Sequence, residues 1–206
     1  MTARLLLIRH GETPNNAARM FRGPDGAAEG LSDTGHAEAI ALGLSLAARH
    51  LPTPRLYASP YTRAQQTAQH LADALGVPVQ ILPGVHEIDT GDWMGRPYSD
   101  VQERLHELVA PDGQFGYPGG ESLAQVAERF QAALQEVLPQ NGETLIVVSH
   151  GAALVALLSR LLGRDLKAAY LSDEFHHANT AVTELDWRAE GQPTMLRLAD
   201  VSHLTE

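Results

Sequence analysis

The chain has 206 residues, of which 44% are hydrophobic and 19% are charged, a composition typical of a globular protein. Its 25 acidic and 15 basic residues give a net charge of −10, which argues against nucleic acid or an anionic membrane as a partner. The sequence contains no cysteine, so disulfides, thiolate metal ligands and a cysteine nucleophile are excluded.

Strand and helix patterns alternate along the chain. Short apolar runs predict buried strands over residues 4–8, 55–58, 79–82, 144–149, 181–186 and 194–198. Helical periodicity predicts helices over residues 37–51, 61–75, 123–137 and 152–162, with Ser32 or Asp33 as the first N-cap and Gly76 and Gly163 as stops. This alternation predicts a three-layer α/β/α sandwich around a mostly parallel sheet of about six strands. No helix separates the last two strands, so we expect them to pair as a hairpin at one edge.

No linker, repeat or low-complexity tract divides the chain, so we predict a single domain over residues 1–206. Residues 16–31 and 89–120 are rich in glycine, proline and aromatic residues, and we expect the second segment to cover the site. The N-terminal apolar run is shorter than a secretory signal, and no stretch reaches transmembrane length. We therefore expect a cytoplasmic protein.

Two of the predicted strands end in a histidine followed by glycine, at His10-Gly11 and at His150-Gly151. In open α/β sheets, ligands bind beyond the carboxyl ends of the strands. Arg9 precedes the first histidine, and its guanidinium matches phosphate oxygens while a neutral imidazole can attack phosphorus. An isolated pair of this kind is more often a surface arginine beside a structural histidine. The repeated construction is what indicates a reactive anion site.

Other residues can complete such a site. Arg63 falls in the first turn of the second predicted helix, where the helix dipole favours an anion, although pairing with an acidic neighbour is the alternative. Glu87 is the candidate that protonates a leaving group and later activates water, with Asp89 and Asp92 as competitors. His150 can stabilise the transferring group as a cation, or it can be a core histidine with both ring nitrogens satisfied.

Motifs in this order resemble those of the histidine phosphatase superfamily, also called the phosphoglycerate mutase-like superfamily. The matching segments are RHGET at 9–13 followed by Asn16, SPYTRAQQTA at 59–68, Glu87, GGES at 119–122, VSHG at 148–151 and NTAV at 179–182. The resemblance implies the phosphoglycerate mutase-like sandwich, with His10 as the phosphorylated nucleophile and Glu87 as the acid and base. Arg9, Arg63 and His150 are implied as the remaining catalytic residues. The residues implied to bind the substrate are Arg9, Asn16, Arg22, Gly23, Arg63 and Gly151.

The chain departs from the family pattern in its loops. Met94 stands where the family usually has glutamate, and Met20 stands where it often has arginine, so that Arg19 or Arg22 replaces that arginine. Tyr98, Phe115 and Tyr117 are candidates to stack on a substrate ring, while His176 and His177 lie in a predicted loop near the rim of the site. Because these departures lie in the loops, they bear on which substrate is bound and not on the catalytic reaction.

The expected function is a phosphomonoesterase that hydrolyses small phosphorylated metabolites through a phosphohistidine on His10, with no cofactor and no metal. The alternative is a cofactor-dependent phosphoglycerate mutase, and a catalytically silent binding protein is a third possibility. The segment between Glu87 and Glu121 carries only Arg96 and Arg104 among six acidic residues, which disfavours the mutase. The expected partner is the small metabolite alone, and the sequence leaves open whether the chain forms a homodimer.

Overall fold

Four parallel strands and one antiparallel pair form the central sheet of this protein. The computed structural model describes residues 3–21, 26–187 and 193–204. Its strands are β1 (Ala3–Arg9), β2 (Pro54–Ala58), β3 (Val79–Ile81), β4 (Thr144–Ser149), β5 (Val182–Trp187) and β6 (Thr194–Asp200). Their order is β3-β2-β4-β1-β5-β6. The first four strands run parallel, and β5 and β6 are antiparallel at one edge, as predicted.

Helices cover both faces of this sheet. The α-helices of the described residues are α1 (Pro14–Ala17), α2 (Asp33–Ala48), α3 (Thr62–Leu75), α4 (Asp100–Glu103), α5 (Leu123–Gln135), α6 (Gly151–Leu161) and α7 (Leu166–Leu171). Helices α2 and α3 share one hydrophobic core with Leu6 and Ile8 of β1. Helices α5, α6 and α7 share a second core with Leu5 and Leu7. The predicted three-layer sandwich is therefore confirmed.

The apolar runs of the sequence reflect this double cover. Leu5, Leu6, Leu7 and Ile8 are all fully buried, because successive side chains of a strand point to opposite faces and helices cover both. The strands observed here begin and end within two residues of their predicted bounds. Among the described residues, no helix is both long and apolar enough to cross a membrane.

The helix bounds differ more from the prediction. Helix α2 begins at Asp33 instead of residue 37, because its first turn is polar and lacks the apolar period that marks the rest. Ser32 is its N-cap, and the Ser32 hydroxyl accepts a hydrogen bond from the Gly35 amide at 3.1 Å. The short helices α1, α4 and α7 were not predicted, since four to six residues are too few to show a helical period.

Backbone hydrogen bonds join the two long loops into one cover. The Phe21 amide donates to the Arg96 carbonyl at 2.9 Å, and the Tyr98 amide donates to the Arg19 carbonyl at 3.0 Å. The Phe21 ring also packs edge-to-face against Tyr98, with ring centroids 4.7 Å apart, and against Tyr117, at 5.5 Å. The segment 89–120 is therefore fixed to the segment that follows β1.

Candidate active site

Parallel pairing of β1 with β4 brings the two His-Gly pairs to one edge of the sheet. Arg9 is in register with Ser149, and the His10 amide donates to the Ser149 carbonyl at 3.0 Å. The rings of His10 and His150 consequently meet edge-to-face, with centroids 5.0 Å apart. Residues 140 positions apart in sequence thus share one site because both strands end at the same level.

The contacts of His10 define its protonation state. Its Nδ1 lies 2.7 Å from the Gly11 carbonyl oxygen, which can only accept, so Nδ1 carries the hydrogen. Its Nε2 accepts a hydrogen bond from Arg63 Nε at 3.1 Å. Burial lowers the pKa of His10 well below its ordinary value, and the charges of Arg63 and Arg9 lower that pKa further. The ring is therefore neutral at pH 7, and its unprotonated Nε2 carries the lone pair that accepts the Arg63 hydrogen bond.

Close backbone packing holds the loop that follows His10. A Cβ on Gly35 would lie 2.1 Å from the Glu12 carbonyl oxygen, and a Cβ on Gly11 would lie 2.6 Å from the Gly35 carbonyl oxygen. The Gly11 amide also donates to Thr67 Oγ1 of α3 at 3.0 Å. The start of α2 and the middle of α3 thus fix the position of the nucleophile.

A buried arginine, Arg63, and a half-buried one, Arg9, stand beside His10. Arg63, in the first turn of α3, is 4% exposed and donates from Nη1 to the Gly26 carbonyl at 2.9 Å. Arg9 donates from Nη1 to the His177 carbonyl at 2.6 Å, and its guanidinium lies against Gly151, where a Cβ would be 3.7 Å from Nε. Burial lowers the pKa of both arginines, while the charge of Glu87 raises it. Two cations in one wall make a local anion site on an acidic protein.

Asn16 is linked to the His10 backbone through the side chain of Asn179. Its Oδ1 accepts a hydrogen bond from Asn179 Nδ2 at 3.2 Å, and the same Asn179 amide donates to the His10 carbonyl at 3.0 Å. The Asn16 Nδ2 group is 3.4 Å from the Tyr98 hydroxyl. This arrangement turns the amide donors of Asn16 away from Asn179 and towards the cover.

Glu87 is anchored at the N-terminus of α6. Its Oε1 accepts from the amides of Ile88 and Ala153, both at 2.9 Å, and its Oε2 accepts from the Ala152 amide at 3.3 Å. Glu87 lines the same cavity as His10, whereas Asp89 and Asp92 do not. Of the three acidic candidates in the sequence, the structure brings only Glu87 to the cavity wall.

His150 is fully buried beside His10 and does not line the cavity. Its Nε2 lies 2.8 Å from Ser59 Oγ, and its Nδ1 has no hydrogen-bond partner among the described residues. Burial lowers the pKa of His150 well below its ordinary value, and the charge of Arg63 lowers it further. The surroundings thus favour a neutral ring, which differs from the predicted cation.

The cavity has a volume of about 640 Å³. The residues predicted to be catalytic or to bind substrate that line it are Arg9, His10, Asn16, Arg63, Glu87 and Gly151. Arg19, predicted as one of two replacements for the family's arginine, also lines it. Arg22 and Gly23 lie outside the described residues. Of the three predicted stacking residues, Tyr98 lines the cavity, whereas Tyr117 is buried within the cover and Phe115 lies elsewhere.

Several lining residues were missed by sequence reasoning. Asn15 and Glu29 share a hydrogen bond in the wall, and Tyr170 reaches the cavity from α7. His177 lines it from the loop before β5, where the sequence indicated only a rim position. No sequence signal pointed to Tyr170, since its short helix was itself not predicted. Among the described residues, no three His, Asp or Glu side chains group as metal ligands would.

Comparison with known proteins gives a consistent result. The family model of the histidine phosphatase superfamily (branch 1) matches residues 5–201. Phosphoserine phosphatase 1 of Hydrogenobacter thermophilus is 32% identical, covering 98% of this chain and 95% of that protein. A probable phosphoglycerate mutase GpmB of Erwinia tasmaniensis is also 32% identical, covering 97% and 94%.

A solved structure agrees with these relatives. The phosphoserine phosphatase of Entamoeba histolytica, in complex with 3-phosphoglyceric acid, superposes with a TM-score of 0.78 at 26% identity. The match covers 98% of this chain and 99% of that one. On the strength of the family match, the whole-chain relatives and the shared fold, this chain belongs to the histidine phosphatase superfamily.

Proposed function

We propose that this protein is a phosphatase that hydrolyses phosphomonoesters of small metabolites through a phosphohistidine on His10. One observation carries the proposal: the unprotonated His10 Nε2 lies 3.1 Å from Arg63 Nε, in a cavity that Arg9 and Glu87 also line. The relatives named phosphoserine phosphatase support this reaction and make O-phosphoserine the first substrate to test.

In the first step, Arg63 Nε releases His10 Nε2 and binds a phosphoryl oxygen. The freed lone pair of Nε2 forms a bond to phosphorus while the bond from phosphorus to the ester oxygen breaks. The departing alkoxide takes a proton from the Glu87 carboxyl group. Arg9 and Arg63 bind the phosphoryl oxygens and stabilise the charge that develops on them. The phosphorylated ring keeps the hydrogen bond from Nδ1 to the Gly11 carbonyl, which holds the ring in place.

In the second step, water attacks phosphorus and gives its proton to the Glu87 carboxylate. The bond between phosphorus and Nε2 breaks, its electron pair returns to His10, and inorganic phosphate leaves. His150 packs against His10, and the negative charge of a bound phosphoryl group would favour a proton on its unpartnered Nδ1. Uptake of a proton from solvent by His150 on substrate binding would reconcile the neutral ring of the free site with the cation predicted from the sequence.

The experiment that tests this function is His10→Ala. We expect turnover of O-phosphoserine and of p-nitrophenyl phosphate to be lost, together with the acid-labile, base-stable phosphate that wild type carries after a denaturing quench. His50→Asn, a change at an exposed histidine, is the control and should retain both. Substantial turnover by folded His10→Ala protein would contradict the mechanism.

A phosphoglycerate mutase is the second candidate, because relatives of similar identity carry that name. A mutase must keep its phosphohistidine from water in a strongly cationic pocket. In this cover, however, Arg104 pairs with Glu107 at 2.6 Å, and Arg96 lies 3.8 Å from both Asp100 and Glu107. Neither of these arginines lines the cavity, so the segment 89–120 adds no arginine or lysine to its wall; Arg19, from the other segment of the cover, does line it.

The two functions differ in their product. With 3-phosphoglycerate and a 2,3-bisphosphoglycerate primer, we expect release of inorganic phosphate to exceed formation of 2-phosphoglycerate. A ³¹P NMR time course separates the two products in one sample. Faster isomerisation than phosphate release would make the protein a mutase while leaving the roles of His10, Arg63 and Glu87 intact.

A further inference from the structure

Within the described part of the chain, one hydrogen bond directs the Arg9 guanidinium. Arg9 donates from Nη1 to the backbone carbonyl of His177 at 2.6 Å. Its Nε is buried and has no hydrogen-bond partner among the described residues. The contact with Gly151 is a packing contact, which does not fix the direction of the N–H groups. Whatever fixes the His177 carbonyl therefore also fixes this arginine.

The side chain of His177 supplies that fixation. Its ring is 1% exposed, and both nitrogens are hydrogen bonded: Nδ1 lies 2.8 Å from the Phe175 carbonyl and Nε2 lies 2.7 Å from Thr183 Oγ1. The carbonyl can only accept, so Nδ1 donates and Nε2 accepts the Thr183 hydroxyl hydrogen. Burial lowers the pKa of His177 to about 4, which keeps Nε2 free to accept at neutral pH.

A β-bulge between β5 and β6 in turn positions the Thr183 hydroxyl oxygen. This oxygen accepts the Ala199 amide hydrogen of β6 at 2.9 Å, so its hydrogen remains free to be donated to His177. The pairing of β5 with β6 shifts register between Val182 and Glu184, and Ala199 has a φ of 47°. This left-handed conformation is unfavourable for alanine, and such strain is retained where a neighbouring structure requires it. The bulge directs the Ala199 amide at the Thr183 side chain of β5 instead of at a backbone carbonyl of that strand.

We propose that His177 and Thr183 are positioning residues for Arg9, and that they set its guanidinium through the His177 carbonyl. Neither side chain acts on phosphorus in this proposal, which rests on the proposed role of Arg9 as a phosphate-binding group. The order of contacts runs from the Ala199 amide to the Thr183 hydroxyl, then to the His177 ring, and ends at the arginine. Loss of the hydroxyl would leave the His177 ring free to turn and its carbonyl free to move.

The test is Thr183→Val, which removes the hydroxyl and keeps the side-chain volume. We expect kcat/KM for p-nitrophenyl phosphate to fall about 10- to 100-fold, because small misplacements of a positioning group cost this much, and inhibition by inorganic phosphate to weaken. Thr144→Val is the matched control, since Thr144 is a fully buried strand threonine whose hydroxyl has no partner among the described residues. Thr183→Ser keeps the hydroxyl and should remain close to wild type. If Thr183→Val does not fold, Thr183→Ala provides the same comparison.

A double-mutant cycle with Arg9→Gln separates positioning from general destabilisation. If Thr183 acts through Arg9, Thr183→Val should cost little further activity once Arg9 is replaced. An equal loss in both backgrounds, or a loss no greater than that of Thr144→Val, would overturn the proposal. Full activity of Arg9→Gln alone would instead remove the proposed role of Arg9, which is a different failure from that of the His177 contact.

Discussion

At the scale of single residues, the reactivity of this site depends on which ring nitrogen carries a hydrogen. The Gly11 carbonyl accepts a hydrogen bond from Nδ1 of His10, and Arg63 Nε donates a hydrogen bond to its Nε2. The same backbone-directed arrangement recurs at His177, whose Nδ1 donates to the Phe175 carbonyl. In both cases burial keeps the ring neutral, so the second nitrogen can act as a nucleophile or as an acceptor.

Glu87→Gln should slow release of a poor leaving group far more than release of a good one. General acid help is worth ~10²–10⁴-fold for an alkoxide, whereas p-nitrophenolate leaves without a proton. Single-turnover phosphorylation of His10, with O-phosphoserine and with p-nitrophenyl phosphate, measures the difference. Asp89→Asn is the control and should leave both rates unchanged, because Asp89 does not line the cavity. Equal slowing of both substrates by Glu87→Gln would assign Glu87 a structural role.

At the scale of elements, the site is assembled by register and by close backbone packing. Parallel pairing of β1 with β4 places His10 and His150 side by side, and α6 begins immediately after the second histidine. The amides at the start of α6 then hold Glu87, which arrives from the loop after β3. His10 with Arg9, Arg63, and the proposed acid Glu87 thus come from the ends of three different strands, β1, β2 and β3.

Gly35→Ala should disturb the nucleophile through α2. The new Cβ would meet the Glu12 backbone at 2.1 Å, so the helix or the loop after His10 must shift. We expect unfolding free energy to fall by about 1–3 kcal/mol, as for other overpacked sites, and turnover to fall with it. Urea denaturation and steady-state kinetics measure both effects. Gly43→Ala, on the same helix with no contact closer than 3.0 Å and outside the cavity wall, should affect stability less and turnover not at all.

At the scale of the whole molecule, an acidic protein keeps a cationic pocket in its interior. The net charge is −10, yet Arg63 is buried and Arg9 is half-buried at the sheet edge. Three buried histidines stand at or behind the same edge, and the pKa of each is lowered chiefly by burial: His10, His150 and His177. The buried histidines of the site are therefore expected to lower the stability of the protein in acid.

Unfolding free energy should fall as the pH is lowered from 7 to 5.5. In the unfolded chain, each of these histidines binds a proton near pH 6.5, whereas in the native state the lowered pKa keeps the ring neutral; for His177 this window extends to about pH 4. The unfolded state thus binds more protons, and each buried histidine should cost about 1 kcal/mol of stability between pH 6.5 and 5.5. Urea denaturation at a series of pH values measures this slope, and His177→Gln should make it shallower. A pH-independent unfolding free energy over this range would contradict the prediction.

Some predictions are not tested by the fold or by the relatives. The single-domain organisation and the cytoplasmic location stay predictions, and the oligomeric state stays open. The fold class, the family and the edge hairpin are confirmed. Strand identities were accurate because apolar runs covered on both faces are a strong local signal, whereas the ends of helices depend on capping and on contacts that periodicity does not contain.

The sequence by itself determined which chemistry this protein can carry out. The Arg9-His10 pair, Arg63 and Glu87 were identified from local patterns and ordered motifs, because strand ends, helix starts and their flanking residues are short-range features. Only the tertiary structure decided how these residues act. It places Glu87, and neither Asp89 nor Asp92, at the cavity wall. It shows that Nε2 is the unprotonated nitrogen of His10, and it brings the His177 carbonyl into hydrogen-bond contact with Arg9, although these two residues are distant in the sequence. Such choices depend on distances and burial in three dimensions, which no local pattern of residues encodes.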